Sequence, residues 1–159
     1  EIGTLGAYST IWLARALKPG GHLITLEIDL HHAEVARRNL ARAGLSDRVE
    51  VRVGRAADLL DAMQGFVEPF DFIFIDADKA SSDVYLKAVL TLSHPGTVII
   101  VDNVVRDGKV ADAKSEDEDI KGIRRMTEWL ATQADISATA IQTVGGKSYD
   151  GFLMAIVGT

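Results

Sequence analysis

Two apolar runs in this chain stop abruptly at oxygen-bearing side chains. Phe72-Ile73-Phe74-Ile75 runs into Asp76-Ala77-Asp78-Lys79, and Val98-Ile99-Ile100-Val101 runs into Asp102-Asn103. Such runs read as buried parallel strands. The carboxyl ends of strands in an open α/β sheet border the crevice where ligands bind. Asp76, Asp102 and Asn103 would then meet and offer three hard oxygen donors, which suit Mg²⁺. Mn²⁺ and Ca²⁺ accept the same donors. Lys79 follows one short step beyond. Taken singly, Asp76 and Asp102 also read as helix-capping or salt-bridged strand ends, Asn103 as a turn residue and Lys79 as a solvated surface lysine.

A second constellation opens the chain. Glu1-Ile2-Gly3-Thr4-Leu5-Gly6-Ala7-Tyr8-Ser9 reads as a strand-turn-helix junction in which Gly3 lets backbone approach a ligand and Gly6 supplies a positive φ. Free N–H groups at the start of the following helix suit a polar or anionic group. Glu27 ends the next strand roughly 20 residues on, where an acid can accept both ribose hydroxyls of a nucleoside cofactor. An exposed strand-end charge is the plainer alternative. Gly54-Arg55-Ala56 ends a further strand, where a backbone N–H and a small side chain could border an adenine. The histidines make poor ligands, since His31 and His32 cannot share one helix face. Trp12 and Trp129 fall in helical apolar stripes and read as core. The acidic run Ser115 to Asp119 reads as a solvated helix start.

The elements that must position these residues follow from periodicity and punctuation. Helices are expected over residues 8–17, 30–43, 56–64, 81–92 and 120–131, with Asp29 as an N-cap, Gly44 as a stop, and Ser81 or Ser82 as a cap. Strands are expected over 22–28, 48–53, 70–75 and 96–101. The polar stretch 106–119 has no apolar period and reads as a mobile loop. Two runs, 136–144 and 149–157, joined by Gly145-Gly146-Lys147-Ser148, form a hairpin signal. Alternating strands and helices predict an α/β fold with a mostly parallel, doubly wound sheet, closed here by an antiparallel C-terminal hairpin.

Composition sets outer bounds. The 159 residues are expected to form a single domain. Hydrophobic content of 47% and charged content of 25% are ordinary for a globular protein. A net charge of −6 speaks against a nucleic-acid partner. No stretch approaches about 20 apolar residues, so no membrane span is expected. The lack of cysteine removes disulfides and thiolate metal sites and fits a reducing, cytoplasmic setting. The chain opens on Glu1-Ile2-Gly3 without a strand before its glycine-rich turn, which suggests that an N-terminal strand and earlier helices are missing.

Taken in order, Glu1 to Ser9, Leu26-Glu27-Ile28, Phe74 to Lys79, Asp102-Asn103-Val104 and Tyr149-Asp150-Gly151-Phe152 resemble the motifs of the cation-dependent class I O-methyltransferases, the catechol and caffeoyl-coenzyme A type with many bacterial members. The resemblance implies a Rossmann-like methyltransferase fold and S-adenosylmethionine as methyl donor. It implies that Glu1, Gly3, Thr4 and Ser9 line the methionine and ribose side, that Glu27 holds the ribose hydroxyls, that Ala56 lies by the adenine and that Asp78 is near the cofactor. Asp76, Asp102 and Asn103 would bind the divalent cation, and Lys79 matches the catalytic lysine. Ala7 stands where the family commonly has glycine, which is tolerable if that position needs only close helix packing. Family members also carry N-terminal helices that cover the acceptor pocket and often support a homodimer.

The residue types suit that chemistry. A vicinal aromatic diol chelates a cation through both oxygens, and three protein ligands leave about three octahedral positions free. The metal lowers the phenol's pKa, and a lysine beside it takes the proton or stabilises the phenolate. The resemblance, with which this chemistry is consistent, implies a catechol-like small molecule as the acceptor. Two other readings compete. One is an NAD-dependent Rossmann dehydrogenase using the glycine loop and Glu27, against which the closing hairpin counts. The other is a cofactor-binding domain without catalysis.

Overall fold

A computed structural model of the chain describes residues 1–146 and 148–158. Lys147, part of the expected hairpin turn, lies outside them. The chain divides into two compact units, Glu1–Ala62 and the residues from Met63 onward.

In the first unit, helix α1 (Tyr8–Ala16) precedes strand β1 (Leu23–Glu27), helix α2 (Leu30–Arg42), strand β2 (Val49–Val53) and the start of helix α3 (Ala56–Met63). β1 and β2 pair in parallel from Leu23↔Val49 to Glu27↔Val53. Ahead of α1, the segment at Ile2 runs parallel to β1. Glu1 O accepts from Leu26 N and Gly3 N donates to Leu26 O, both at 3.0 Å. Asp29 caps α2 as expected, accepting from His32 N at 2.9 Å. Gly44 takes φ 71° beyond the helix end, and Leu45 N reaches back to Leu40 O at 3.0 Å. That is the glycine-dependent way of closing a helix. Ala33, Ala36 and Leu40 repeat on the buried face of α2, and the core joins Ala7, Ala14, Leu23, Ala36, Leu40, Leu45 and Val49.

The second unit carries β3 (Phe70–Ile75), a 3₁₀ turn at Lys79–Ser81, α4 (Ser82–Leu90), β4 (Ser93–Asp102), a second 3₁₀ segment at Arg106–Ala111, α5 (Glu118–Leu130), β5 (Ile136–Val144) and β6 (Tyr149–Val157). The strand order is β3-β4-β6-β5. β3 and β4 are parallel, whereas β6 runs antiparallel to both β4 and β5. The alternating α/β pattern and the closing antiparallel pair are thus both present. Ile73, Ile75, Ile99, Val101, Leu153 and Ala155 alternate onto one buried face. α4 packs on β3 and β4, and α5 packs on α4 and on the Lys79–Ser81 turn. β5 pairs with β6 alone among the described strands, is exposed at every residue after Ile136, and contains no charge and no proline. No helix among the described residues is long and apolar enough to cross a membrane.

Several expectations shift. β4 starts at Ser93 rather than Gly96, because Ser93 pairs with Phe70 and Thr97 Oγ1 ties both strands, donating to Phe70 O at 2.6 Å and accepting from His94 N at 2.9 Å. The stretch 106–119 is not loop throughout. It holds the Arg106–Ala111 turn and the first residues of α5, capped by Asp117 accepting from Asp119 N at 2.9 Å. Trp12 is not core but 58% exposed, with the Arg15 guanidinium 5.6 Å over its ring. Ser81 precedes α4 without a side-chain cap, and Ser82 Oγ turns back to Lys79 O at 2.8 Å.

Candidate active site

The glycine-rich opening is organised by two carboxylates. Glu1 accepts Ser9 Oγ at 2.6 Å on one oxygen, and Thr10 Oγ1 at 2.5 Å and Thr25 Oγ1 at 2.7 Å on the other. Thr4 Oγ1 lies 2.6 Å from Thr25 Oγ1. The expected residues Glu1, Thr4 and Ser9 therefore share one hydrogen-bonded network, which also includes Thr10 and Thr25. Those two threonines carried no signal in the sequence, because a threonine inside a helix or strand pattern reads simply as filler.

Glu27, buried at the end of β1, holds the other side of the loop. One oxygen accepts Leu5 N at 2.8 Å and Thr4 N at 3.3 Å, and the other accepts Asp29 N at 3.0 Å. A carboxylate offers about four acceptor sites, so three are in use. The oxygen that carries Asp29 N has room for one further donor and lies 3.7 Å from His32 Nδ1. Gly3 adopts φ 96°, but the positive φ expected at Gly6 falls instead on Leu5 (48°) and Ala7 (65°). Gly6 contributes its carbonyl, which accepts Asn39 Nδ2 at 2.9 Å. Ala7 hence occupies a left-handed position that favours glycine for its backbone, not only for close packing. Ala56 is the half-buried first residue of α3, directly after Gly54 and Arg55.

In the second unit, the register Ile75↔Val101 brings the ends of β3 and β4 side by side, with Asp76 just past β3 and Asp102 the last residue of β4. Lys79 reaches back from the 3₁₀ turn, its Nζ 2.8 Å from Asp76 Oδ1 and its side chain only 7% exposed. Burial pushes the half-buried Asp102 carboxyl above the ordinary carboxylate range. The Asn103 N–H opposes that shift, the Asp76 charge adds to it, Lys79 opposes it and Asp150 adds to it. A carboxyl raised by burial and by the charge of a neighbouring carboxylate is what a hard cation relieves. Asn103 follows directly with φ 58°, its N–H donating to Asp102 Oδ1 at 2.8 Å. The donor chemistry fits a divalent cation bound by two carboxylates and one carboxamide. Among the described residues no group of three or more His, Cys, Asp and Glu side chains is arranged for a metal.

Asp78 does not join this group. It faces α4 and accepts Tyr85 Oη at 2.5 Å. Burial works to raise its carboxyl, but hydrogen bonds from Ser81 and Tyr85 outweigh that and hold it below its ordinary value. Sequence reasoning missed two contributors to the lysine's position. Gly122 of α5 allows the helix to lie against the Lys79–Ser81 turn, since a Cβ there would stand 2.7 Å from Ala80 O. Arg125 Nη2 donates to the same Ala80 carbonyl at 2.8 Å.

Comparisons with known proteins agree in kind. A family profile described as O-methyltransferase matches residues 1–153. Proteins named catechol O-methyltransferase from Niastella koreensis and Mycobacterium tuberculosis are 50% and 51% identical over 158 and 157 residues. The matches cover 99% of this chain, and 72% and 70% of those proteins. The crystal structure of an O-methyltransferase from Bacillus cereus in complex with SAH aligns with TM-score 0.96 at 58% identity, covering 98% of this chain and 71% of that one. The O-methyltransferase TomG from Streptomyces achromogenes, in complex with SAM, aligns with TM-score 0.96 at 48% identity, covering 99% and 71%.

Proposed function

Because this chain belongs to the O-methyltransferase family, with the Rossmann-like α/β fold of those enzymes, we propose that it moves a methyl group from S-adenosylmethionine to a hydroxyl of a catechol-like small molecule in a divalent-cation-dependent reaction. The observation that carries the reading is the pairing of strand-end carboxylates Asp76 and Asp102 with the buried Lys79, whose Nζ lies 2.8 Å from Asp76.

Each residue then has a task. Asp76, Asp102 and Asn103 bind the cation, Mg²⁺ in the first instance. When bound there, the cation supplies Lewis acidity that lowers the pKa of an aromatic hydroxyl. Lys79 is the base or charge-stabilising group for that hydroxyl, and Asp76 orients its ammonium. Glu1, Gly3, Thr4 and Ser9 receive the methionine and ribose side of the donor, and Glu27 takes a ribose hydroxyl on its remaining acceptor site. Ala56 borders the adenine. Asp78 acts near the cofactor through the segment between β3 and α4. Holding donor and acceptor in line supplies most of the rate gain, because the sulfonium methyl is already activated. Residues 1–159 act in this reading as one methyltransferase domain, in a cytoplasmic homodimer without nucleic-acid or membrane partners. Family membership and the antiparallel β4–β6 pair leave the dehydrogenase reading without support.

The test is methyl transfer from labelled S-adenosylmethionine to a panel of catechols, with and without chelator. The expected outcome is transfer that disappears with chelator, returns with Mg²⁺ and falls by at least about 100-fold in Asp76→Ala, as loss of both a ligand and the lysine's partner requires. Transfer indifferent to chelator removes the cation and keeps the donor. Donor binding without transfer to any catechol points to the binding-only reading.

A further inference from the structure

Asn103, Arg106 and Asp107, three non-glycine residues within five positions, adopt φ of 58°, 53° and 57°. They lie directly after Asp102, in the turn that must orient the second strand-end ligand pair. Asn103 and Asp107 tolerate left-handed backbone, whereas at Arg106 it persists only where the surroundings over-determine it. Here the surroundings are the first residues of β6. Asp150 Oδ1 accepts Val105 N and Arg106 N, both at 3.0 Å, together with its own neighbour Gly151 N at 2.9 Å. Gly151 O accepts Val104 N at 3.0 Å. Tyr149 Oη donates to Asp107 O at 2.6 Å, and Ser148 Oγ donates to the Asp107 carboxylate. The backbone of β6 can come this close because residue 151 has no side chain: a Cβ there would stand 2.7 Å from Val105 Cγ2.

We infer that Asp150 is a positioning residue for the cation site: its carboxylate clamps the Val105 and Arg106 amides and so fixes the strained turn that aims Asp102 and Asn103. The inference rests on the reading of Asp76, Asp102 and Asn103 as cation ligands. Asp150 acts through hydrogen-bond acceptance by Oδ1, which three N–H groups occupy. A carboxamide at this position keeps that function, and a methyl group does not.

The experiment compares wild type, Asp150→Ala and Asp150→Asn by Mn²⁺ binding in calorimetry, with S-adenosylhomocysteine binding and amide hydrogen exchange measured on the same samples. Outer-sphere partners of metal ligands typically change affinity by about 10–100-fold. Asp150→Ala is expected to weaken Mn²⁺ by that factor, to speed exchange at Val105 and Arg106, and to leave S-adenosylhomocysteine affinity unchanged. Asp150→Asn should stay within several-fold of wild type with both amides protected. Equal weakening by Ala and Asn overturns the clamp in favour of a direct ligand or a purely electrostatic role. Wild-type affinity in Asp150→Ala overturns it outright. A wild type that binds no Mn²⁺ brings down the cation reading, and the purpose given to Asp150 with it. If Asp150→Ala does not fold, Asp150→Gln, whose carboxamide sits one methylene further out, takes its place with the same expectations.

Discussion

Ala7 is fully buried in the core of its unit with φ 65°. A left-handed alanine carries about 1–2 kcal/mol of strain, whereas replacing it with glycine loses a buried methyl worth about 0.8 kcal/mol and adds about 0.5–1 kcal/mol of unfolded-chain entropy. These nearly cancel. Ala7→Gly should leave stability in urea unfolding within about 1 kcal/mol of wild type, and Ala7→Val, β-branched in a filled space, should lose more than about 2 kcal/mol. A gain well beyond that range in Ala7→Gly would mean that the methyl contributes nothing. Asp29 gives a pH test. The His32 N–H holds its carboxyl below the ordinary 3.8. A folded pKa below the unfolded one contributes stability above the unfolded value and loses it as pH falls through the folded value. Asp29→Asn should therefore flatten the acid limb of stability below about pH 4 and change little at pH 7, as read by urea unfolding across pH.

Candidate site residues stand out in the sequence where side-chain type and strand-end position coincide. Asp76, Asp102, Asn103, Lys79 and Glu27 sit at the ends of apolar runs, and Glu1 lies in the glycine-rich turn. The positive φ at Leu5 and Ala7 instead of Gly6 was not legible. A single backbone angle there is set by Glu27 taking the Leu5 and Thr4 amides, a contact across 22 and 23 residues. Trp12 misled for a related reason, since an apolar stripe shows that a face is apolar and not what covers it.

Among elements, the hairpin strands fell at 136–144 and 149–157 as expected, because glycine-rich punctuation fixes both ends. The Arg106–Ala111 segment escaped notice because its conformation comes from Asp150, Tyr149 and Arg124, whose Nη1 donates to Val110 O at 2.9 Å, rather than from any local period. α5 shows how far such distant partners matter. Ile120, Ile123, Met126 and Leu130 bury one face of it, and Gly122 sets how near that face comes to the turn carrying Lys79. Gly122→Ala should destabilise by about 1–3 kcal/mol through overpacking. It should also lower kcat with little change in the KM for S-adenosylmethionine, because the displaced turn carries Lys79, the base or charge-stabilising group of the proposed reaction. Unchanged melting and kinetics would show that α5 shifts freely.

For the whole molecule, the acidic balance and the β5 edge act together. The chain's pI is about 5.1, and every residue of β5 past Ile136 is exposed without a charge or proline among them. Natural sheets guard such edges with lysine, proline or bulges. Here the net charge of −6 at neutral pH opposes edge-to-edge pairing of this strand. Near pH 5 that repulsion vanishes while the outer edge of β5, which pairs with no described strand, remains. Colloidal behaviour should then be decided by one strand. Light scattering is expected to rise steeply as pH approaches 5.1, and Thr139→Lys, a single gatekeeper charge in the middle of the edge, is expected to suppress that rise without altering the fold. Equal scattering by both proteins would assign the association to another surface. The strand that ends the described sheet is thus also an edge open to templated growth.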